Sequence, residues 1–237
     1  MAIIPARGGS KRIPQKNIRP FLGIPIIKYS IDSALLSKCF TEVMVSTDDP
    51  VIAEVARSFG AEVPFLRSEA TSDDQAPLAD VVAEVIASYE IIGRCFEYFC
   101  CILPTAPFVT CQRLREGFEL LKKTGAGGVV PVVSFSYPIQ RALKIENGLI
   151  EMIWPENRNV RSQDLPPAFH DSGQFYWMNT ISFLEQKHLF VKNAIAMEIN
   201  AWEVQDIDTE EDWTMAEIKY EILQARLRVK AGGSRQP

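Results

Sequence analysis

One run narrows the fold of this chain more than any other. Tyr98-Phe99-Cys100-Cys101-Ile102-Leu103 is apolar throughout and runs straight into Pro104-Thr105-Ala106-Pro107. A strand without polar alternation is buried on both faces of its sheet, so other layers must cover it from each side. The two prolines force a turn at its C-terminal end. Around it, strand-like and helix-like periods alternate, which favours an α/β arrangement of layers. Met1 to Ala6 reads as a first strand and Glu42 to Ser46 as another. Ile27, Ile31, Ala34 and Leu35 recur at helical spacing. Pro50 suits the first turn of a helix with Val51, Ile52, Val55, Ala56 and Phe59 on one face and Gly60 as its stop. Further helices follow on Leu78, Val81, Val82, Val85, Ile86 and Tyr89, and on Leu114, Phe118 and Leu121.

Beyond the strand Val129 to Val133 the pattern changes. Ala142 to Glu146 and Leu149 to Ile153 flank Asn147-Gly148, a signal for a two-residue β-hairpin. Trp154 to Ser172 has no period, and so long a structureless stretch suits an arm packed on something else, such as a second subunit. Strands resume at Gln174 to Met178 and Ile195 to Ile199, and a final helix starts at Thr209 with Trp213, Ala216, Tyr220 and Leu223 on its core face. A single domain over residues 1–228 is expected, with the hairpin and arm at about 138–177 and a disordered tail at 229–237.

Composition excludes several classes. With 237 residues, 47% of them hydrophobic, the chain has no apolar run near the roughly 20 residues of a membrane span. No export signal is visible at the N-terminus. The five cysteines form an odd set without Cys-x-x-Cys spacing, and His170 and His188 are the only histidines, which disfavours zinc. Buried thiols in a reducing cytosol are the simpler account, so a cytoplasmic protein is expected. A net charge of −5 argues against broad nucleic-acid binding.

That negative charge is unevenly spread. The first 31 residues carry six cations and no acid, five of them between Arg7 and Arg19. A solvated basic stretch is the bland reading. The strand-like entry and the pair Gly8-Gly9 favour a polyphosphate site instead, with Ser10 as a hydroxyl donor and Arg7, Lys11 and Lys16 as phosphate partners. The spacing fits neither a Walker A loop nor a dinucleotide fingerprint. A second constellation is Asp206-Ile207-Asp208-Thr209, where extended chain puts both carboxylates on one side. Mg²⁺ between them and phosphate oxygens would suit such a pair. A helix cap by Asp208 or Thr209 is the competing reading. A third is the arm, Arg158 to Trp177, whose alternating polar and aromatic groups suit a carboxylated sugar, although His170 alone reads as an ordinary surface histidine.

In this order the three pieces resemble the acylneuraminate cytidylyltransferases. The resemblance is carried by Ile4-Pro5-Ala6-Arg7-Gly8-Gly9-Ser10-Lys11 with Lys16-Asn17, Ser46-Thr47-Asp48-Asp49, Pro64-Phe65-Leu66-Arg67, Pro104-Thr105-Ala106-Pro107 and Asp206 to Asp212. Within the family, Arg161-Ser162-Gln163-Asp164-Leu165 and His170 to Trp177 look most like the pseudaminic acid branch. The resemblance covers about residues 1–223. It implies a Rossmann-like, three-layer nucleotidyltransferase fold with a mostly parallel sheet and a hairpin-and-arm dimerisation element. It implies CMP transfer from CTP to a nine-carbon acidic sugar, pseudaminic acid foremost, with Mg²⁺ as cofactor and a homodimer sharing its active sites. Arg7, Lys11, Lys16 and Asp208 would be catalytic. Ala6, Gly8, Gly9, Ser10, Asn17 and Arg67 would bind the nucleotide, and Asp206 and Asp208 the metal. Arg161, Gln163, Gln174 and Tyr176 would meet the sugar.

Departures from the sialic acid enzymes bear on the sugar. Leu103-Pro104-Thr105-Ala106-Pro107 stands where those commonly have Gln-Pro-Thr-Ser-Pro, and Ser172-Gly173-Gln174 where they tend to have Asn-Gly-Ala. N-acetylneuraminate is therefore disfavoured. Legionaminic acid and N-acetylneuraminate are the alternatives, and octulosonate enzymes usually lack the pair seen as Lys16-Asn17. A non-catalytic regulatory homologue that binds CTP or a CMP-sugar is the alternative of a different class; intact Lys11, Asp206 and Asp208 count against it. The base that takes the anomeric proton stays open between a metal-bound water and an acid such as Asp208.

Overall fold

The computed structural model describes residues 1–73 and 75–232. From the N-terminus come β1 (Ala2–Pro5), a small hairpin of β2 (Pro20–Phe21) and β3 (Ile24–Pro25), α1 (Ile27–Ser37), β4 (Val43–Ser46), α2 (Pro50–Ser58), the single turn α3 (Glu69–Ser72) and α4 (Leu78–Ile91). Then follow β5 (Tyr98–Ile102), α5 (Cys111–Thr124), β6 (Gly128–Ser134) and a hairpin of β7 (Leu143–Glu146) and β8 (Leu149–Met152). The chain closes with β9 (Phe169–Asp171), β10 (Phe175–Asn179), α6 (Thr180–Gln186), β11 (Ala194–Glu198) and α7 (Glu210–Gly232).

The main sheet runs β11-β6-β10-β5-β1-β4. Along this path only β10 opposes its neighbours, β5 and β6, and β9 adds an antiparallel pairing to β6 off the path, so the sheet is mixed. Strand alternation sorts the apolar side chains into two layers. Ala2 and Ile4 of β1 and Cys100 and Ile102 of β5 pack with Ile31 of α1, Ile52 of α2 and Leu114 of α5. Ile3, Phe99 and Cys101 face the other way, onto Val82, Val85 and Tyr89 of α4 and Phe183 of α6. Helices on both faces make the three layers that the uninterrupted run at β5 requires. All five cysteines are free, and burial raises the Cys101 thiol to about 12.

A third, smaller cluster joins segments far apart in sequence: Ile13 from the basic loop, Phe21 and Ile26, Phe108, Ile207, and Trp213 and Ala216 of α7. Phe21 meets Trp213 and Tyr220 edge-on with centroids 5.7 Å apart in each case. Arg19 lies 4.7 Å over the Trp213 ring and pairs with Glu210 at 2.5 Å. Aliphatic and aromatic burial here fastens the start of α7 to the opening loop.

Five elements differ from the sequence expectations. The two-residue strands β2 and β3 are too short to show a period. The arm is not wholly irregular, since β9 pairs with the far end of β6 through Val132 with Asp171, Val133 with His170 and Ser134 with Phe169. Helix α6 follows β10 directly, its first turn capped by the Asn179 side chain accepting from Ser182 N. Helix α7 continues through residues 229–232, where composition placed the start of a tail, and residues 233–237 lie outside the described residues. The β7–β8 hairpin forms as expected, with Asn147 and Gly148 at φ +50° and +81°, the left-handed pair a type I′ turn requires.

Candidate active site

The loop after β1 lies beyond the C-terminal ends of the parallel strands, where open α/β sheets bind ligands. A cavity of about 580 Å³ opens there, within the range of small-molecule sites. Arg7, Ser10, Lys11, Arg12, Lys16 and Asn17 line one side; Arg67, Leu103, Thr105 and Asp208 complete it, with Asp73, Ala76, Leu78 and Val81 from the segment leading into α4. Five cations therefore converge on one cavity in a chain of net charge −5.

Local hydrogen bonds set the loop's shape. Asn17 is buried, and its Nδ2 donates to the Arg7 carbonyl at 2.9 Å, drawing the loop back on itself. Arg7 Nη1 reaches the Asp73 carbonyl at 3.4 Å. Gly8 N donates to Asp48 Oδ1 at 3.0 Å. A Cβ on Gly8 would fall 2.9 Å from Asp49 Cβ, and Asp49 cannot retreat because its carboxylate caps α2 through Val51 N and Ile52 N. Gly8 is thus required by the approach of α2. Gly9 is exposed, and a Cβ there would meet nothing within 4 Å. Neither glycine lines the cavity, and Ala6 is a core residue whose N–H donates to Ser46 O at 2.8 Å. Ala6 and Gly8 thus have structural roles of their own, whereas the space around Gly9 would admit a side chain.

Arg67 is locked in place. Its Nη2 and Nε donate to the carbonyl and hydroxyl of Ser46 at 2.7 and 3.1 Å, and burial lowers its pKa. A guanidinium held at the end of β4 and facing the cavity presents charge there without further ordering cost.

Asp208 joins the basic loop from 192 residues away. Its Oδ2 lies 2.9 Å from Arg12 Nη1 and its Oδ1 3.4 Å from Lys16 Nζ. The reason is Ile207, only 1% exposed, which shares a cluster with Ile13. Extended chain about Ile207 turns Asp206 and Asp208 away from that core. Asp206 is exposed and does not line the cavity. The start of α7 is capped by a reciprocal pair: Thr209 Oγ1 accepts from Asp212 N at 3.2 Å, and Asp212 Oδ2 accepts from Thr209 N at 2.8 Å and Asp208 N at 3.0 Å. The Asp208 carboxylate takes no part in this cap. Hydrogen bonds from Thr209 and its neighbours' amides hold the Asp212 carboxyl below its usual value.

The four residues expected to meet the sugar behave differently. Arg161 makes a two-pronged pair with Asp164 at 2.7 and 3.2 Å, and both Arg161 and Gln163 are exposed on the arm, outside the cavity lining. Gln174 is buried and its Nε2 donates to the Glu203 carbonyl, while Glu203 is clamped by Arg113 at 2.8 and 2.9 Å. Tyr176 is buried and donates to the Asp171 carboxylate, and burial followed by that bond pushes its phenol far up. Each side chain already has a partner inside the protein. The sequence assigns no site role to Arg12 or to Asp73, Ala76, Leu78 and Val81. Arg12 sat within the basic cluster, so charge alone flagged it, whereas nothing periodic marked Asp73 to Ala76.

A Rossmann-like sheet with a cation-lined cavity at its strand ends defines the class as nucleotide-binding transferases. The profile of the cytidylyltransferase family matches residues 1–223, and the chain belongs to that family. It is 40% identical over 223 residues to the pseudaminic acid cytidylyltransferase of Campylobacter jejuni subsp. jejuni serotype O:2, covering 94% of this chain and 96% of that protein. It is 31% identical over 229 residues to the CMP-N,N'-diacetyllegionaminic acid synthase of Legionella pneumophila, covering 96% and 98% of the two. Among solved structures, CMP:2-keto-3-deoxy-manno-octonic acid synthetase complexed with CTP superposes with a TM-score of 0.66 at 16% identity over 94% of this chain and 98% of that one, a likeness of fold. The chain is an enzyme, a cytidylyltransferase of CMP-sugar biosynthesis.

Proposed function

We propose that the chain transfers CMP from CTP to pseudaminic acid, releasing pyrophosphate, in the cavity at the end of β1, β4 and β5. The identity of 40% with the Campylobacter jejuni enzyme over nearly the whole chain carries the choice of sugar. The convergence of Arg7, Lys11, Lys16 and Arg67 on one cavity supports the choice of site.

The anomeric hydroxyl of the sugar attacks the α-phosphorus of CTP in line. Its oxygen–phosphorus bond forms as the bond to the β-phosphate oxygen breaks, and pyrophosphate departs. In such transfers positioning and charge neutralisation do most of the work. Arg7, Lys11 and Lys16 offset charge on the phosphates, while Ser10 and Asn17 shape the loop around them. Asp208 lines the same cavity and would take the anomeric proton.

Mg²⁺ fits the donor chemistry of Asp206 and Asp208, hard carboxylate oxygens on the open side of Ile207. Mg²⁺ is usually held by one or two carboxylates plus substrate phosphates. When bound it would neutralise phosphate charge and orient the leaving group. Of the two acids, Asp208 is the one that lines the cavity.

We also propose a cytoplasmic homodimer of a single domain, residues 1–228, joined through the hairpin and arm at about 138–177. Leu143, Ile145 and Ile150 share one face of the β7–β8 hairpin at 55%, 73% and 65% exposure. A two-stranded hairpin is marginal in water without cover, so a second subunit accounts for this face and would bring Arg161 and Gln163 toward a cavity. The free cysteines suit a reducing compartment, and among the described residues no helix is long and apolar enough to cross a membrane.

Pyrophosphate release with CTP and Mg²⁺, run against pseudaminic, legionaminic, neuraminic and octulosonic acids, tests this reading. Release with pseudaminic acid well above the others is expected. Release with legionaminic or neuraminic acid alone would overturn the sugar, and no release with any would overturn the reaction.

A further inference from the structure

Arg12 lies outside the nucleotide-binding set that the family resemblance implies, yet it lines the cavity and covers Asp208. Each oxygen of that carboxylate has its own cation: Arg12 on Oδ2 at 2.9 Å and Lys16 on Oδ1 at 3.4 Å. The two cations differ in freedom. Lys16 is 19% exposed and Arg12 70% exposed. The backbone is anchored on both sides of the pair, since Ile13 beside Arg12 and Ile207 beside Asp208 are buried in one cluster and Asp212 accepts from the Asp208 N–H. What can change partner is the exposed guanidinium.

A solvated ion pair of this kind is weak. A polyphosphate entering the cavity offers the same fork two oxygens at higher charge density, the bidentate match that favours arginine. We propose that Arg12 is a further phosphate-binding residue that rests on Asp208 and passes to the triphosphate when nucleotide enters, uncovering the carboxylate. The exchange rests on the reading that CTP occupies this cavity. It makes nucleotide and divalent-cation binding mutually reinforcing. Without nucleotide, a cation meets a carboxylate already neutralised; once the guanidinium has moved, one oxygen is open.

The signature is a pair of effects with opposite sign, read by titration calorimetry on the whole protein. Arg12→Ala should weaken CTP·Mg²⁺ and pyrophosphate binding by about tenfold, the scale of one charge-assisted contact. It should strengthen Mn²⁺ binding to the nucleotide-free protein by about threefold, since one carboxylate oxygen loses its cover. Arg12→Lys, which keeps the charge but loses the fork, should fall between wild type and Arg12→Ala for CTP. Unchanged CTP and pyrophosphate affinity in Arg12→Ala would overturn the proposal. So would weakened nucleotide binding with Mn²⁺ binding unchanged or reduced, since that leaves Arg12 a plain phosphate contact that never covered Asp208. Failure of wild-type protein to bind either CTP or pyrophosphate would instead overturn the underlying reading of the cavity.

Discussion

The basic loop and the hairpin-with-arm are both long departures from the three-layer core, but they are held in opposite ways. The loop from Arg7 to Asn17 carries its own anchor: Ile13 is fully buried against Ile207 and Trp213, and Asn17 ties back to Arg7. The β7–β8 hairpin turns its apolar side chains outward, with Ile145 at 73% exposure, and gains only strand pairing and a few contacts along the arm. One region is anchored within a single chain and positions charge; the other turns apolar side chains to solvent. On the proposed reading, the site would be fixed where phosphates bind and would depend on a second copy where the sugar binds.

The contrast can be broken at several points. The largest effect should come from the loop: Lys16→Ala removes a cation from the cavity and should lower turnover by roughly 100-fold, with the melting temperature nearly unchanged. Steady-state assay beside thermal melting separates the two. Next, Ile207→Ala should cost about 2–5 kcal/mol in denaturant unfolding, because it leaves a cavity between the loop and α7. The paired change Ile145→Ser and Ile150→Ser should move stability little, about 0.5 kcal/mol for each exposed site, yet shift the mass in solution from dimer to monomer. If that variant unfolds the chain, the hairpin face belongs to this chain's own core and the comparison fails.

A smaller effect tests the cap. Thr209→Ala should lose about 1 kcal/mol, since Thr209 and Asp212 close the first turn of α7. The Asp212 carboxyl is held below its usual value by Thr209 and the amides of 208 and 209. A group depressed in the folded state adds stability above its unfolded pKa and loses it as pH falls through the folded value. Acid titration below about pH 4 should therefore loosen the wild type more than Asp212→Asn, as read by helical circular dichroism.

The core was legible because strand alternation and helical spacing are local signals, and the unbroken run at β5 demands layers on both faces. The Asn147-Gly148 turn was legible for the same reason. The β2–β3 hairpin, β9 and α6 were not, because each is short and formed by pairing or packing with distant chain. In the site, charge marked the loop, but the partner of Arg12 could not be read, since Asp208 reaches it only through the burial of Ile13 with Ile207. Gln174 and Tyr176 show the converse. The resemblance implies sugar contacts for them, and in the fold Gln174 Nε2 donates to the Glu203 carbonyl and Tyr176 to Asp171, which no linear pattern reveals. Gly8 reads as a phosphate glycine, and in the fold Asp49 also leaves no room there for a Cβ.

The central claim is that CMP transfer occurs where the basic loop meets Asp208. Pyrophosphate release from CTP, Mg²⁺ and pseudaminic acid should fall by at least about 100-fold in Asp208→Asn while its melting temperature stays near wild type, because the Thr209–Asp212 cap is untouched. Turnover near wild type in that variant would contradict the account.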